Sequence, residues 1–280
     1  MSDRAEPPRL GVGLGYRKPL HEHIVDNARG IDWLEVITDQ FLYDPDARAA
    51  LREPRGHFPL VPHGLEMSVG SQEPLDEDYL RGVVALANLV DAPWASDHLC
   101  FTRGRGLALD SLNPVVRTVD NARHIAGKAQ QVQDALGRPF LLENITYYVD
   151  MPGELTEAEM ITEVMEHCTC GILLDLSNVL INAGNHGFDP YRFLDELPLE
   201  RVEQVHLAGS SPAAHRDEML IDRHDHPLGG DVLALFAYLL ERCDVKAVLM
   251  ERDDDFPEDF QEIVADLDKA RQVVGERRPR

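Results

Sequence analysis

Residues 139–178 read PFLLENITYYVDMPGELTEAEMITEVMEHCTCGILLDLSN and hold a complete strand–helix–strand unit. PFLL is a short apolar run that stops at Glu143 and Asn144. Thr156, followed by Glu157 and Glu159, is a helix start, a capping hydroxyl ahead of acids in the first turn. The helical pattern then meets GILL, a second buried-strand run that stops at Asp175, with Asn178 three residues on. Apolar strands joined through a helix predict a parallel sheet.

The same alternation extends along the chain. LGVGLGY, DWLEVIT, FPLVPHGL, PWASDHL, VEQVHLAG and KAVLMERD are further strand-length apolar runs, which with the two above makes eight. Between them lie helical patterns such as DEDYLRGVVALANLVDA, DVLALFAYLLERC and PEDFQEIVADLDKARQVVG, the last opening at Pro257 and closing at Gly275. About eight such units predict a (β/α)8 TIM barrel, with an open doubly wound sheet as the competitor. No linker or composition break interrupts the 280 residues, so one domain is expected over 10–275, with residues 1–9 and 276–280 as tails.

Composition narrows the function. Fifty acids against 27 bases give a formal net charge of −23, a field that repels phosphate backbones and argues against nucleic acid as partner. No apolar run is long enough to cross a bilayer and MSDRAEPPRL has no signal-peptide core, so no membrane association and a cytoplasmic location are expected. Four cysteines do not make a disulfide scaffold. Cys168 and Cys170, beside His167, are expected as small buried residues where helix meets strand, and Cys100 and Cys243 likewise. Gly11, Gly13 and Gly15 alternate, but Tyr16 stands where a dinucleotide fingerprint needs glycine, so close backbone packing is the reading.

The strand ends carry the chemistry. Runs end at His63, Asp97-His98, Glu143-Asn144, Asp175, His206 and Glu251. In a parallel barrel all C-terminal strand ends meet on one face. Carboxylates and imidazoles crowded there repel or lose solvation unless cations join them, so the pattern points to divalent metals rather than scattered solvated termini. EMLIDRHDHP, residues 218–227, extends the pattern. Read as a strand ending at Asp222, it puts Asp222 and His224 on one side, able to grip one ion. His226, next to Pro227, is expected in solvent, and Asp225 faces away.

GVGLGYR, VPHGLEMSVGS, SDHLCFT, DALGRPFLLEN, LLDLSNV, NHGFDP, VHLAG and LIDRH together resemble the DUF692 proteins, the multinuclear non-heme iron-dependent oxidative enzymes of the MbnB-like type. The resemblance covers nearly the whole chain, and the wider superfamily is similar to xylose-isomerase-like barrels, including the trinuclear endonuclease IV group. It implies two or three iron ions, mixed Fe(II)/Fe(III), with O2 as co-substrate. It implies His63, His98 and Glu143 as one ion's ligands, Glu143 bridging to a second held by Asp175, His206 and Glu251, and Asn178, Asp222 and His224 as the third set. Asp222, His224 and Glu251 are the residues implied closest to the chemistry. The implied reaction oxidises a side chain, Cys or else Asp or Asn, of a ribosomally synthesised precursor peptide, with a separate leader-peptide-binding partner protein. Two departures from the family pattern, Asp39-Gln40 in ITDQF and Arg252 in MERDDD, are expected on the substrate side, where Arg252 could fork onto a substrate carboxylate. A divalent-metal hydrolase or isomerase of the same superfamily, and a non-catalytic metal-binding protein, are the alternatives.

Overall fold

The computed structural model describes residues 7–27, 30–151, 153–210 and 219–276. Strand β1 (Gly11–Tyr16) leads through α1 (His21–Asp26) to β2 (Leu34–Ile37). Short helices α2 (Pro45–Ala50) and α3 (Arg52–His57) precede β3 (Leu60–His63), and α4 (Glu77–Val90) precedes β4 (Ala95–His98). An antiparallel hairpin, β5 (Phe101–Gly104) and β6 (Leu107–Asn113), stands over the barrel end before α5 (Val119–Leu136). Then follow β7 (Phe140–Glu143), α6 (Glu157–Glu166), β8 (Gly171–Asp175), α7 (Leu176–His186), α8 (Pro190–Asp195), β9 (Val202–Ala208), α9 (Gly230–Leu240), β10 (Ala247–Glu251) and α10 (Gln261–Glu276). The parallel strands close in the order β1-β10-β9-β8-β7-β4-β3-β2, and β2 pairs back to β1. Each of the eight apolar runs supplies one barrel strand, so the chain is a (β/α)8 barrel.

Strand periodicity decides what fills the barrel. Trp33, Val61, Trp94, Leu141, Leu173 and Leu249 form a buried cluster of their own, separate from the shell between strands and helices. Two residues further along the same strands stand Glu35, His63, Ser96, Glu143, Asp175 and Glu251, which the period of two turns to the same interior. The apolar layer is thus a floor, and the polar layer rests on it at the C-terminal end. Burying a side chain of this size is worth roughly 1.5–3 kcal/mol, so the floor is a stiff support. β1 makes room for it: a Cβ on Gly13 would lie 2.6 Å from the Trp33 ring, the close packing expected of the alternating glycines.

Helix starts follow their caps. Thr156 and Glu159 form a reciprocal capping box on α6, and Asp76 caps α4 through the amides of Asp78 and Tyr79. The last helix corrects the sequence reading. It begins at Gln261, not Pro257, because the Asp259 carboxylate caps the Gln261 amide, and it runs past Gly275 to Glu276. Of the expected tails, residues 1–6 and 277–280 lie outside the described residues. Cys100, Cys168 and Cys170 are buried as expected, and Cys243 is half-buried. No described helix is long and apolar enough to cross a membrane.

Candidate metal centre

The polar layer brings imidazoles and carboxylates into contact. Glu143 is its hub: Oε2 lies 3.1 Å from His63 Nε2 and 3.3 Å from His98 Nε2, and Oε1 lies 3.2 Å from His206 Nδ1. The other nitrogens of the first two rings are tied back, His63 Nδ1 to Ser96 Oγ at 2.9 Å and His98 Nδ1 to the Gly64 carbonyl at 3.2 Å. Those bonds turn both Nε2 atoms toward Glu143. His206 Nδ1 also lies 3.2 Å from Glu251 Oε2, and the same oxygen lies 3.2 Å from His224 Nδ1. His224 Nε2 faces Asp222 Oδ1 at 2.7 Å and Asp175 Oδ2 at 3.8 Å. Four overlapping buried groups result, each with donor atoms close enough to share an ion: His63/His98/Glu143, Glu143/Asp175/His206, Glu35/His206/Glu251 and Asp175/His224/Glu251.

Asp222 and His224 do not meet as the sequence reading expected. Residues 219–225 form no strand, and Glu218 lies outside the described residues. The segment is an irregular loop after β9, held by Asn185 to the Leu220 backbone and by the Tyr148 hydroxyl to the Asp222 amide. His224 adopts a left-handed backbone, φ 48°, and that turn rather than strand alternation swings its ring onto Asp222. Asp225 is buried, whereas His226 is largely exposed. Asn178 lines the same cavity, but its amide is engaged at both ends: Oδ1 accepts from Thr146 Oγ1 at 2.5 Å and Nδ2 donates to the Asn144 carbonyl at 3.0 Å.

Burial without solvent displaces the titration of the cluster. Burial pushes Glu143 up to about 7 and Asp175 up to about 8. Burial takes His63 well below its usual range and His98 down to about 4. Burial opposes the charged form of His206 also, but Glu35, Glu143 and Glu251 outweigh it and hold that ring well above the ordinary value. His224 is raised in the same way against burial, chiefly by Glu251. Burial would raise Glu251, yet His224 and His206 hold it well below.

Donor chemistry supports metal occupancy. Glu143 Oε2, Asp175 Oδ2, His206 Nδ1, Asp222 Oδ1 and His224 Nε2 are buried with no hydrogen-bond partner, and all belong to this one cluster. Orphaned buried donors and acceptors are costly, and cations placed among them satisfy all five. Nitrogen-plus-carboxylate sets suit iron, manganese or zinc.

Above the cluster opens a cavity of about 800 Å³, walled by Phe101, Tyr147, Tyr148 and Met151 among others. Arg17 reaches into it from the end of β1, its Nη2 3.0 Å from Glu251 Oε1 and its Nε 2.9 Å from Asp253 Oδ1. Sequence reasoning missed Arg17, Glu35 and Asp253. Glu35 stands mid-strand rather than at a strand end, and its sequence signal is a charged residue two places after Trp33 in an apolar run.

The two departures noted in the sequence follow the C-terminal ends of β2 and β10, but neither lines the cavity. Arg252 is buried, its guanidinium donating to the carbonyls of Asp254 and Asp255 and pairing with Glu262. Asp39 accepts from the Leu65 amide at 2.9 Å and the Tyr79 hydroxyl at 3.1 Å, bracing the loop after β3. Gln40 is exposed and does not line the cavity.

Comparison with known proteins adds three findings. Residues 11–275 match the family described as "RiPP precursor modification enzyme MbnB/TglH/ChrH". A UPF0276 protein of Caulobacter vibrioides (strain NA1000 / CB15N) is 38% identical over 267 residues, covering 94% of each chain, and one of Haemophilus influenzae is 33% identical over 291 residues, also covering 94% of each. Among solved structures, a xylose isomerase domain protein from Planctomyces limnophilus superposes with TM-score 0.62 at 17% identity over 98% of each chain. Endonuclease IV from Thermus thermophilus gives 0.56 at 22%, covering 96% of this chain and all of that one. Similarity at these identities shows a shared barrel fold.

Proposed function

Since the chain belongs to the MbnB/TglH/ChrH family of RiPP precursor modification enzymes, we propose that it is a multinuclear non-heme iron oxidase that uses O2 to modify a Cys, Asp or Asn side chain of a ribosomally made precursor peptide. The observation that carries the reading is the set of four overlapping buried His-carboxylate groups, two of them sharing Glu143, at the base of one cavity. His63, His98 and Glu143 hold one ion. Asp175, His206 and Glu251 would hold a second, beside Glu143. Asp222 and His224 hold a third, with the Asn178 amide beside it. Bound iron supplies redox access to O2 and Lewis acidity toward a coordinated side chain.

The protein's own work is positioning. Arg17 holds Glu251 by one oxygen and leaves the other to the ions. Phe101, Tyr147 and Met151 wall the cavity with apolar surface that limits water around the reacting side chain. The leader of the precursor is held by a separate partner protein, and the system works in the cytoplasm. A metal-dependent hydrolase or isomerase remains the second reading, favoured by the fold it shares with such enzymes.

The test is anaerobic reconstitution with Fe(II), followed by the precursor peptide and O2. More than one iron per chain is expected, with O2 uptake matched to a mass change in the peptide. Absence of iron affinity, or turnover with zinc and no O2 use, overturns the oxidase reading.

A further inference from the structure

Glu35 belongs by proximity to a possible ligand group with His206 and Glu251, yet its hydrogen bonds give it another task. Trp94 Nε1 donates to Gln204 Oε1 at 2.8 Å. An indole N–H can only donate, so this contact fixes which end of the Gln204 amide is oxygen. Gln204 Nε2 must then face the other way, and it donates to Glu35 Oε2 at 2.6 Å. The same carboxylate oxygen lies 3.1 Å from His206 Nε2. Gln204 Nε2 and His206 Nε2 are 2.9 Å apart, side by side, as two donors converging on one acceptor are. All four residues are buried to within 2%.

We infer that Trp94, Gln204 and Glu35 form a positioning chain that assigns the proton of His206 to Nε2 and so presents Nδ1 to the ion shared with Glu143 and Glu251. His206 Nδ1, the nitrogen on the side of Glu143 and Glu251, is the one buried without a partner. Glu35 sits on the opposite nitrogen, with its Oε2 already taken by two donors. It therefore acts through His206 rather than on the metal. The inference rests on the metal-centre reading above and adds to it Trp94, which is no candidate ligand itself and is joined by hydrogen bonds through Gln204 and Glu35 to His206.

The experiment titrates the full chain, stripped of metal, with Co(II) under anaerobic conditions, following stoichiometry, affinity and the ligand-field spectrum. Glu35→Leu removes the acceptor, Glu35→Gln keeps an oxygen there, and Gln204→Leu and Trp94→Phe break the chain further back. Glu35→Leu is expected to weaken one Co(II) by about 10–100-fold and shift its spectrum, with unchanged stoichiometry at saturation. Glu35→Gln should recover most of that loss, and Gln204→Leu should show a smaller shift of the same band. If Glu35→Gln and Glu35→Leu both lose one ion at saturation while Gln204→Leu matches wild type, Glu35 is a ligand and the inference fails. Identical affinity and spectra in every variant overturn it too. Should Glu35→Leu not fold, Gln204→Leu and Trp94→Phe decide alone, because neither contacts the ions. Wild-type protein that binds no Co(II) would instead refute the metal-centre reading itself.

Discussion

Removing the metals should make stability fall as pH rises through neutrality. In the metal-free folded chain Glu143 keeps its proton up to about pH 7 and Asp175 up to about pH 8, because burial disfavours both anions. On unfolding both return to ordinary values near 4 and release those protons. Folding therefore takes up protons in this range, and stability drops with increasing pH. Below about pH 6.5 a second pair offsets the first: His63 and His98 are buried neutral and gain protons only when the chain unfolds. Above it those two are neutral in both states and the carboxyls act alone. At about 1.4 kcal/mol per pH unit, Glu143 acts over roughly half a unit and Asp175 over roughly one and a half. The loss between pH 6.5 and 8 is then about 3 kcal/mol. His206 and His224, held protonated beyond their ordinary range, pull in the same direction. Urea unfolding of chelator-stripped protein at several pH values between 6.5 and 8 measures this. With divalent ions bound the slope should vanish or reverse, since the ligands then fold deprotonated. A metal-free stability that is flat or rises over this interval, or a slope that metal leaves untouched, would refute the reasoning.

Asp222→Ala and His224→Ala should each lose one metal and all turnover while keeping the barrel's circular dichroism, because the loop after β9 lies on the rim; His226→Ala, changing an exposed ring, should match wild type by elemental analysis and activity. Arg252→Met removes half-buried bonds to two carbonyls and should lower stability by about 1 kcal/mol in denaturant unfolding without raising KM for the peptide, contrary to a substrate-pairing role. Duplex DNA should not be retained at moderate salt in an electrophoretic shift assay, given a net charge of −23.

Strand identity and sheet direction were determined by the sequence itself. Burial on both faces needs continuous apolar runs, and a parallel connection needs a helix between them, so eight runs alternating with helices leave few topologies. The residue types at His63, His98, Glu143, Asp175 and Glu251 were equally legible, since a charge or imidazole closing an apolar strand stands out locally. Closure of the barrel decided what local pattern could not. It carried β1 against β10, so that Arg17 meets Glu251 across a separation of 234 residues, and it set Glu35 against His206 across 171. Neither pairing has a local signature, because the partners approach only when the sheet curls on itself. The loop of Asp222 and His224 was decided the same way: alternation suggested a strand, but a left-handed turn and bonds from Asn185 and Tyr148 place the two side chains. For Arg252 the sequence offered a salt bridge with Asp253 to Asp255 or a fork onto a substrate carboxylate, and for Asp39 only a place near the substrate side. In the fold Arg252 bonds to the nearby carbonyls of Asp254 and Asp255 and to Glu262, and Asp39 to the distant Leu65 amide and Tyr79 hydroxyl, pairings whose geometry exists only in the folded chain.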